Sequence, residues 1–176
     1  MTNKFTYNAR QVVSGAILSA KELGHTYVGS EHLLLGITGL PDCTAAKLLK
    51  SAGVESGSVR EQIISLAGRG TKTGGGEDMT PKCRKILMKA SRISHDAGED
   101  VIGSEHILQA LLTEECVAKR IIEMEGASPD GLSSILEGIY LPGREDEMRI
   151  RPKTKRCETP TIDANARDLT EAARNG

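Results

Sequence analysis

Four residues in this sequence stand where a polar ligand is readily held: Thr6, Glu31, Thr80 and Glu105. Thr6 and Thr80 each precede a run with helical spacing, and the free N–H groups that open a helix form a natural anion site. Glu31 and Glu105 fall in the first turn of the next helix, where the helix dipole favours a carboxylate. A carboxylate takes a guanidinium through two parallel hydrogen bonds. If the two helix starts are neighbours, each unit presents an anion cradle beside a carboxylate. The plainer reading is that all four residues only cap and charge-match helix ends, which such residue types commonly do.

Other constellations carry less chemistry. Gly68-Arg-Gly-Thr-Lys-Thr resembles part of a phosphate-binding loop, but that loop needs Gly immediately before Lys, a preceding buried strand and a following helix. Here Thr71 precedes Lys72 and three more glycines follow, so a solvated linker is expected. With no other Gly-Lys-Ser/Thr, no nucleotide hydrolysis and no catalytic residue is expected. His32 and His106 each follow a glutamate, while His25 and His95 lie elsewhere. Two histidines four apart on one helix, the zincin arrangement, are absent. A metal site assembled from the duplicated Glu-His pairs across a pseudo-twofold is conceivable. The expectation is instead no metal, with each histidine packed or hydrogen-bonded near the start of its helix. Cys43, Cys83, Cys116 and Cys157 are widely spaced with no C-x-x-C pair, and read as small buried thiols in a reducing compartment.

The elements that must position these residues come from an internal duplication. With Thr6 placed over Thr80, Arg10 falls on Arg84, Ala16 on Ala90 and Gly24 on Gly98. Val28-Gly-Ser-Glu-His-Leu-Leu then matches Ile102-Gly-Ser-Glu-His-Ile-Leu, and after a one-residue adjustment Gly53 matches Gly126. Each copy reads as four short helices. Ala9, Val12, Val13, Ala16, Ala20 and Leu23 mark the face of the first, with Thr6 as N-cap and Gly24 after its end. Ser30 is expected to cap the second, with Leu33, Leu34 and Ile37 as its apolar stripe. A third runs from Thr44 to Ala52, and a fourth carries Val59, Ile63 and Leu66. The second copy repeats this with Ile86, Leu87 and Ala90, then Ile107, Leu108 and Leu111, then Ile121 and Ile122, then Leu132, Ile135 and Leu136. Nothing alternates with period two, so no sheet is expected. The fold class is all-α: tandem four-helix repeats over 1–75 and 76–141, packed as one pseudo-twofold domain because neither buries enough surface alone.

Composition closes off several functions. A net charge of −1 gives no long-range attraction to nucleic acid or anionic membrane, and 2% aromatic residues provide no base-stacking platform. No apolar run is long enough to span a bilayer, and a cytoplasmic location is the default. Beyond Tyr140 the texture changes: 142–158 reads as an exposed, charged linker, and 159–176 as a helix start that stops with no core to dock on, as if cut.

Phe5-Thr-x-x-Ala-Arg-x-Val-Val, Leu23-Gly-His-x-Tyr-Val-Gly-Ser-Glu-His-Leu-Leu-Leu-Gly and Ala45-Ala-Lys-Leu-Leu, repeated after Met79-Thr-Pro, resemble the amino-terminal repeat domain of Clp-type AAA+ unfoldases, closest to the ClpC branch. The tail from Thr159 resembles the entry to that family's first ATPase module. The resemblance implies a mobile domain above a hexameric ring that receives substrate and adaptor proteins, usually on the way to a ClpP-type peptidase. ATP and magnesium are implied for the ATPase modules, and no cofactor for this part. In ClpC-like members the domain is also associated with phosphorylated arginine; by motif position, Thr6 and Glu31 would line one site, Thr80 and Glu105 the other. Adaptor docking alone, or control of ring assembly or ATPase rate, are the alternative roles. The second copy departs from the family pattern: Met79 stands for Phe, Cys83 for Ala, and Gly98-Glu-Asp-Val-Ile for Gly-His-x-Tyr-Ile. Glu99 and Asp100 would repel a phosphate if they face its pocket.

Overall fold

The computed structural model describes residues 4–71 and 78–140. The expected linker over 142–158, the helix start at 159–176, Cys157 and Lys72 lie outside them. The described residues fold as α1 (Tyr7–Glu22), β1 (Tyr27–Val28), α2 (Ser30–Thr38), α3 (Thr44–Ser51) and α4 (Ser56–Ala67), then β2 (Asp78–Met79), α5 (Pro81–Asp96), α6 (Ser104–Thr113), α7 (Val117–Met124) and α8 (Pro129–Tyr140). Both repeats contribute to one continuous apolar cluster. Its centre is α2 and α6: Leu33, Leu34 and Ile37 on one, Ile107, Leu108 and Leu111 on the other, all fully buried. Each such side chain contributes about 1.5–3 kcal/mol on burial. The repeats interleave, with α2 against α7, α3 against α6 and α4 against α7.

Two apolar residues expected inside are not. Leu66 and Ile135 are about half exposed, at 46% and 53%. Apart from Pro129 at the start of α8, edge helices α4 and α8 fully bury the four-residue pairs Val59/Ile63 and Leu132/Leu136, so a third aliphatic residue falls outside that narrow stripe.

The expectation of no sheet also needs correction. β1 and β2 form a parallel pair, Tyr27 opposite Asp78 and Val28 opposite Met79, and an isolated parallel bridge joins Phe5 to Ile102. Two residues are too few to show alternation, so the sequence carries no trace of this pairing. Each pairing runs from just before one repeat's first helix to just before the other repeat's second.

The duplication extends to the thiols. Cys43 and Cys116 are both buried, each immediately before the third helix of its repeat. The Cys43 Sγ accepts from Ala46 N–H at 3.4 Å, and the Cys116 thiol faces the Leu111 carbonyl at 3.5 Å. Their common offset with Gly53 and Gly126 is the signal that marks them as matched structural positions.

Candidate ligand clefts

The Gly-Ser-Glu-His motif builds a self-contained helix start. Gly29 and Gly103, not the serines, are the N-cap residues of α2 and α6. The cap works backwards: Gly29 N–H donates to His32 Nδ1 at 3.0 Å, and Gly103 N–H to His106 Nδ1 at 2.9 Å. This is half a capping box, glycine having no side chain to supply the other half. The glycines serve a second need, because a Cβ at Gly29 or Gly103 would overlap the carboxylate of Glu31 or Glu105, folded back over the backbone. Ser30 and Ser104 steady these carboxylates, donating to Glu31 Oε2 at 3.3 Å and to Glu105 Oε2 at 3.0 Å. Ser30 Oγ also accepts from Ala118 N–H, joining α2 to α7 across the repeats.

Thr6 and Thr80 cap as expected, their hydroxyls accepting from Ala9 N–H at 3.2 Å and Cys83 N–H at 3.1 Å. Their partners differ from the expected pairing of Thr6 with Glu31 and Thr80 with Glu105. Thr6 N–H donates to the Ile102 carbonyl at 2.9 Å, one residue before the Gly103 cap of the Glu105 helix. Thr80 N–H donates to the Val28 carbonyl at 3.0 Å, one residue before the Gly29 cap of the Glu31 helix. The clefts are therefore crossed between repeats: Thr6 with Glu105, and Thr80 with Glu31. The cause is the antiparallel packing of α1 on α2. The start of α2 lies at the end of α1, where His25 meets His32, and a helix of this length carries Thr6 roughly 24 Å away.

At the Thr80 helix start lies a cavity of about 340 Å³ lined by Tyr27, Asp78, Met79, Thr80, Pro81 and Arg84, with Glu31 not among its lining residues. Tyr27 is 58% exposed on its wall. Cys83 is buried in the first turn of α5; burial first, and then the Glu31 charge, push its thiol up to about 12, with Arg84 opposing. It is therefore an unreactive thiol at neutral pH. Because Pro81 opens α5 and Cys83 N–H is capped, Lys82 N–H is the remaining first-turn donor before Arg84.

Behind Glu31 runs a histidine relay whose second member sequence reading left unplaced. Gly29 N–H can only donate, so His32 Nδ1 accepts and its Nε2 carries the proton. His32 Nε2 lies 2.8 Å from His25 Nδ1, and His25 Nε2 lies 3.0 Å from the Gly68 carbonyl, which can only accept. The relay thus runs Gly29, His32, His25, Gly68. Burial holds His32 below the usual histidine range; Glu31 opposes this and His25 adds to it. The seven-residue spacing from His25 to His32 across a tight turn was the available signal.

In the second copy Glu99 takes the place of His25, and its Oε2 lies 3.9 Å from His106 Nε2. Glu99, Glu105 and His106 bring one ligand atom each within 4.8 Å of one another. The three donors come from one repeat, not from Glu-His pairs across the pseudo-twofold.

The family model described as the Clp repeat (R) N-terminal domain matches residues 4–125 and again 78–173, as a duplicated chain should. Chaperone protein ClpC1, chloroplastic, of Arabidopsis thaliana is 33% identical over 180 residues, covering 100% of this chain and 19% of the relative. The chain spans about a fifth of the length of the curated relatives it matches. Among solved structures, the N-terminal domain of ClpD from Arabidopsis thaliana superposes with a TM-score of 0.67 at 22% identity, covering 78% of this chain and 98% of that one. The N-domain of ClpV in complex with a VipB peptide gives a TM-score of 0.61 at 22% identity over 78% and 87% of the two chains. With a family model matched over most of its length and the same helical repeat in its neighbours, this chain belongs to the Clp repeat N-terminal domain family.

Proposed function

We propose that the chain is a non-catalytic receiving domain for substrate and adaptor proteins of an ATP-dependent Clp unfoldase, and that its two crossed clefts hold phosphorylated arginine. One observation carries this reading: twice, a Thr-capped helix start is tied by backbone hydrogen bonds to the helix start that bears a folded-back glutamate. A phosphoguanidinium has an anion and a cation a few bonds apart, and each pairing sets a helix start with a free first-turn N–H, Lys82 N–H in the case of Thr80, beside a carboxylate. Peptide capture by a relative of the same fold, the ClpV N-domain with its VipB peptide, supports the receiving role. On this reading 142–158 is the linker and 159–176 the entry to an ATPase module. The hexameric ring, its ATP and magnesium, and a ClpP-type peptidase lie beyond this domain, in the cytoplasm.

Calorimetric titration with free phosphoarginine tests the reading. Saturable heat that is reduced by Glu31→Ala or Glu105→Ala supports it. No heat, and no competition with a phosphoarginine peptide, leaves adaptor docking as the domain's role.

A further inference from the structure

We infer that the outer face of α5 is a docking surface for an acidic, leucine-bearing segment of a partner protein, with Met88 as its apolar anchor and Lys85, Lys89 and Arg92 as its charged rim. Met88 lies about 12 Å along α5 from Thr80, so this surface is separate from the clefts and stands whether or not they hold phosphoarginine.

The duplication supplies the contrast. The four buried positions of α1 and of α5 correspond one for one, so the two helices pack inwards in the same way. Their outer faces differ. Between Pro81 and Ser94, α5 carries Lys82, Arg84, Lys85, Lys89 and Arg92 and no acidic residue, whereas the matched stretch of α1, Tyr7 to Ala20, carries only Arg10. Gln11, Gly15 and Leu18 of α1 stand where α5 has Lys85, Lys89 and Arg92, and Ser14 stands where it has Met88. Packing of the helix therefore does not call for this charge.

The cations exceed what their neighbours neutralise. Lys85 and Lys89 donate to Glu114 at 2.9 and 3.1 Å, and Lys82 comes within 4.0 Å of the same carboxylate, which is 12% exposed among them. One carboxylate balances only one of the three. Glu115 beside it is paired with Lys119 at 2.7 Å, and Arg92, exposed, has Asp96 one turn further on as the nearest acid of its own helix. Met88 is 63% exposed, with Lys85 one turn before it and Arg92 one turn after it on the same side of the helix. An apolar side chain within a charged border has the make-up of an interface centre and its polar rim, and the flexible thioether of methionine adapts to differently shaped partners. Carboxylates on the partner complement the ammonium and guanidinium groups, which speeds encounter and fixes register. A nucleic-acid backbone fits this face less well, because it offers nothing apolar to Met88 and meets Glu114 within the lysine group.

The test is fluorescence anisotropy of the full chain with a labelled peptide of glutamates flanking paired leucines, beside a second peptide with serine for leucine. Lys85→Gln combined with Arg92→Gln, Met88→Ser, and Lys47→Gln on the exposed side of α3 as a charge control are compared, each checked for a native circular dichroism spectrum. The expected result is saturable binding of the leucine peptide, weakened about tenfold by the paired charge substitutions and about fivefold or more by Met88→Ser. Lys47→Gln leaves it unchanged, the serine peptide binds more weakly, and excess free phosphoarginine does not displace the leucine peptide. No binding by the wild type overturns the inference. So does binding that the charge substitutions weaken but Met88→Ser does not, or that Lys47→Gln weakens equally, since either is general attraction of opposite charge. Displacement by phosphoarginine moves the peptide to the clefts, and a single-stranded oligonucleotide that binds more tightly than the peptide and is lost in the same variants makes this a nucleic-acid face; both overturn it.

Discussion

His32 shows how a repeated polar residue serves structure and site together. Its ring caps α2 through Gly29 N–H and abuts Glu31, with Nδ1 3.4 Å from Oε1. Burial keeps it neutral, so its folded pKa lies below the unfolded value of about 6.5. The unfolded chain therefore binds more protons between these two values. The stabilisation is complete above pH 6.5 and is lost as pH falls towards the folded pKa. Thermal melts from pH 7.5 to 5.5 should show a falling midpoint, and His32→Gln should flatten part of that slope. A slope unchanged in the variant would assign it to other groups. Because the cap and relay are also lost, the variant should be less stable at pH 7.5 by about 1–3 kcal/mol, the cost of leaving buried polar partners unmet.

Between elements, the two repeats solve the same packing problem with different side chains. Gly36 brings α2 so close to α1 that a Cβ there would strike the Val12 carbonyl and the Ala16 nitrogen. The matched position in α6 is Ala110, buried without such conflict. Gly36→Ala should thus destabilise the domain by about 1–3 kcal/mol in urea unfolding, despite alanine's better helix propensity, since overpacking forces a backbone shift. A gain in stability would show that α1 and α2 separate easily. The converse case is Gln109, which replaces Leu35 of the first repeat in a buried position. Its Nε2 donates to Ser133 Oγ at 2.8 Å and Glu137 Oε1 at 3.1 Å, tying α6 to α8, while its buried Oε1 has no hydrogen-bond partner among the described residues. Gln109→Leu removes that unmet acceptor and leaves only the partly exposed Ser133 and the exposed Glu137 to be solvated. It should be neutral or stabilising by about 1 kcal/mol; a loss of more than this in the same unfolding assay would make the α6–α8 tie indispensable.

Across the whole molecule, what was legible in the sequence was local, and what was hidden was relational. The faces of α1 and α5, the Thr6 and Thr80 caps and the apolar stripes of α2 and α6 follow from spacing alone, because a helix satisfies its backbone within itself. The crossed partnership of Thr6 with Glu105 and Thr80 with Glu31 rests on a few backbone hydrogen bonds between distant segments, which impose no pattern on side chains. Those bonds make the repeats interdependent. Thr6 and Thr80 each borrow a carbonyl from the other copy, Ala118 N–H donates to Ser30, and Ser58 donates to Glu125. Separating 1–75 from 76–141 would expose the central faces of α2 and α6 together. Each half, of roughly 70 residues, would then keep only part of a core that at this size is already marginal. The separate halves should therefore show weak helical circular dichroism and no cooperative melt. Mixing them should restore both, with a midpoint that rises with concentration, as association-coupled folding requires. A half that melts cooperatively by itself would mean that one repeat is a domain in its own right. In that case the crossed clefts would form by docking of two folded units instead of by their joint folding.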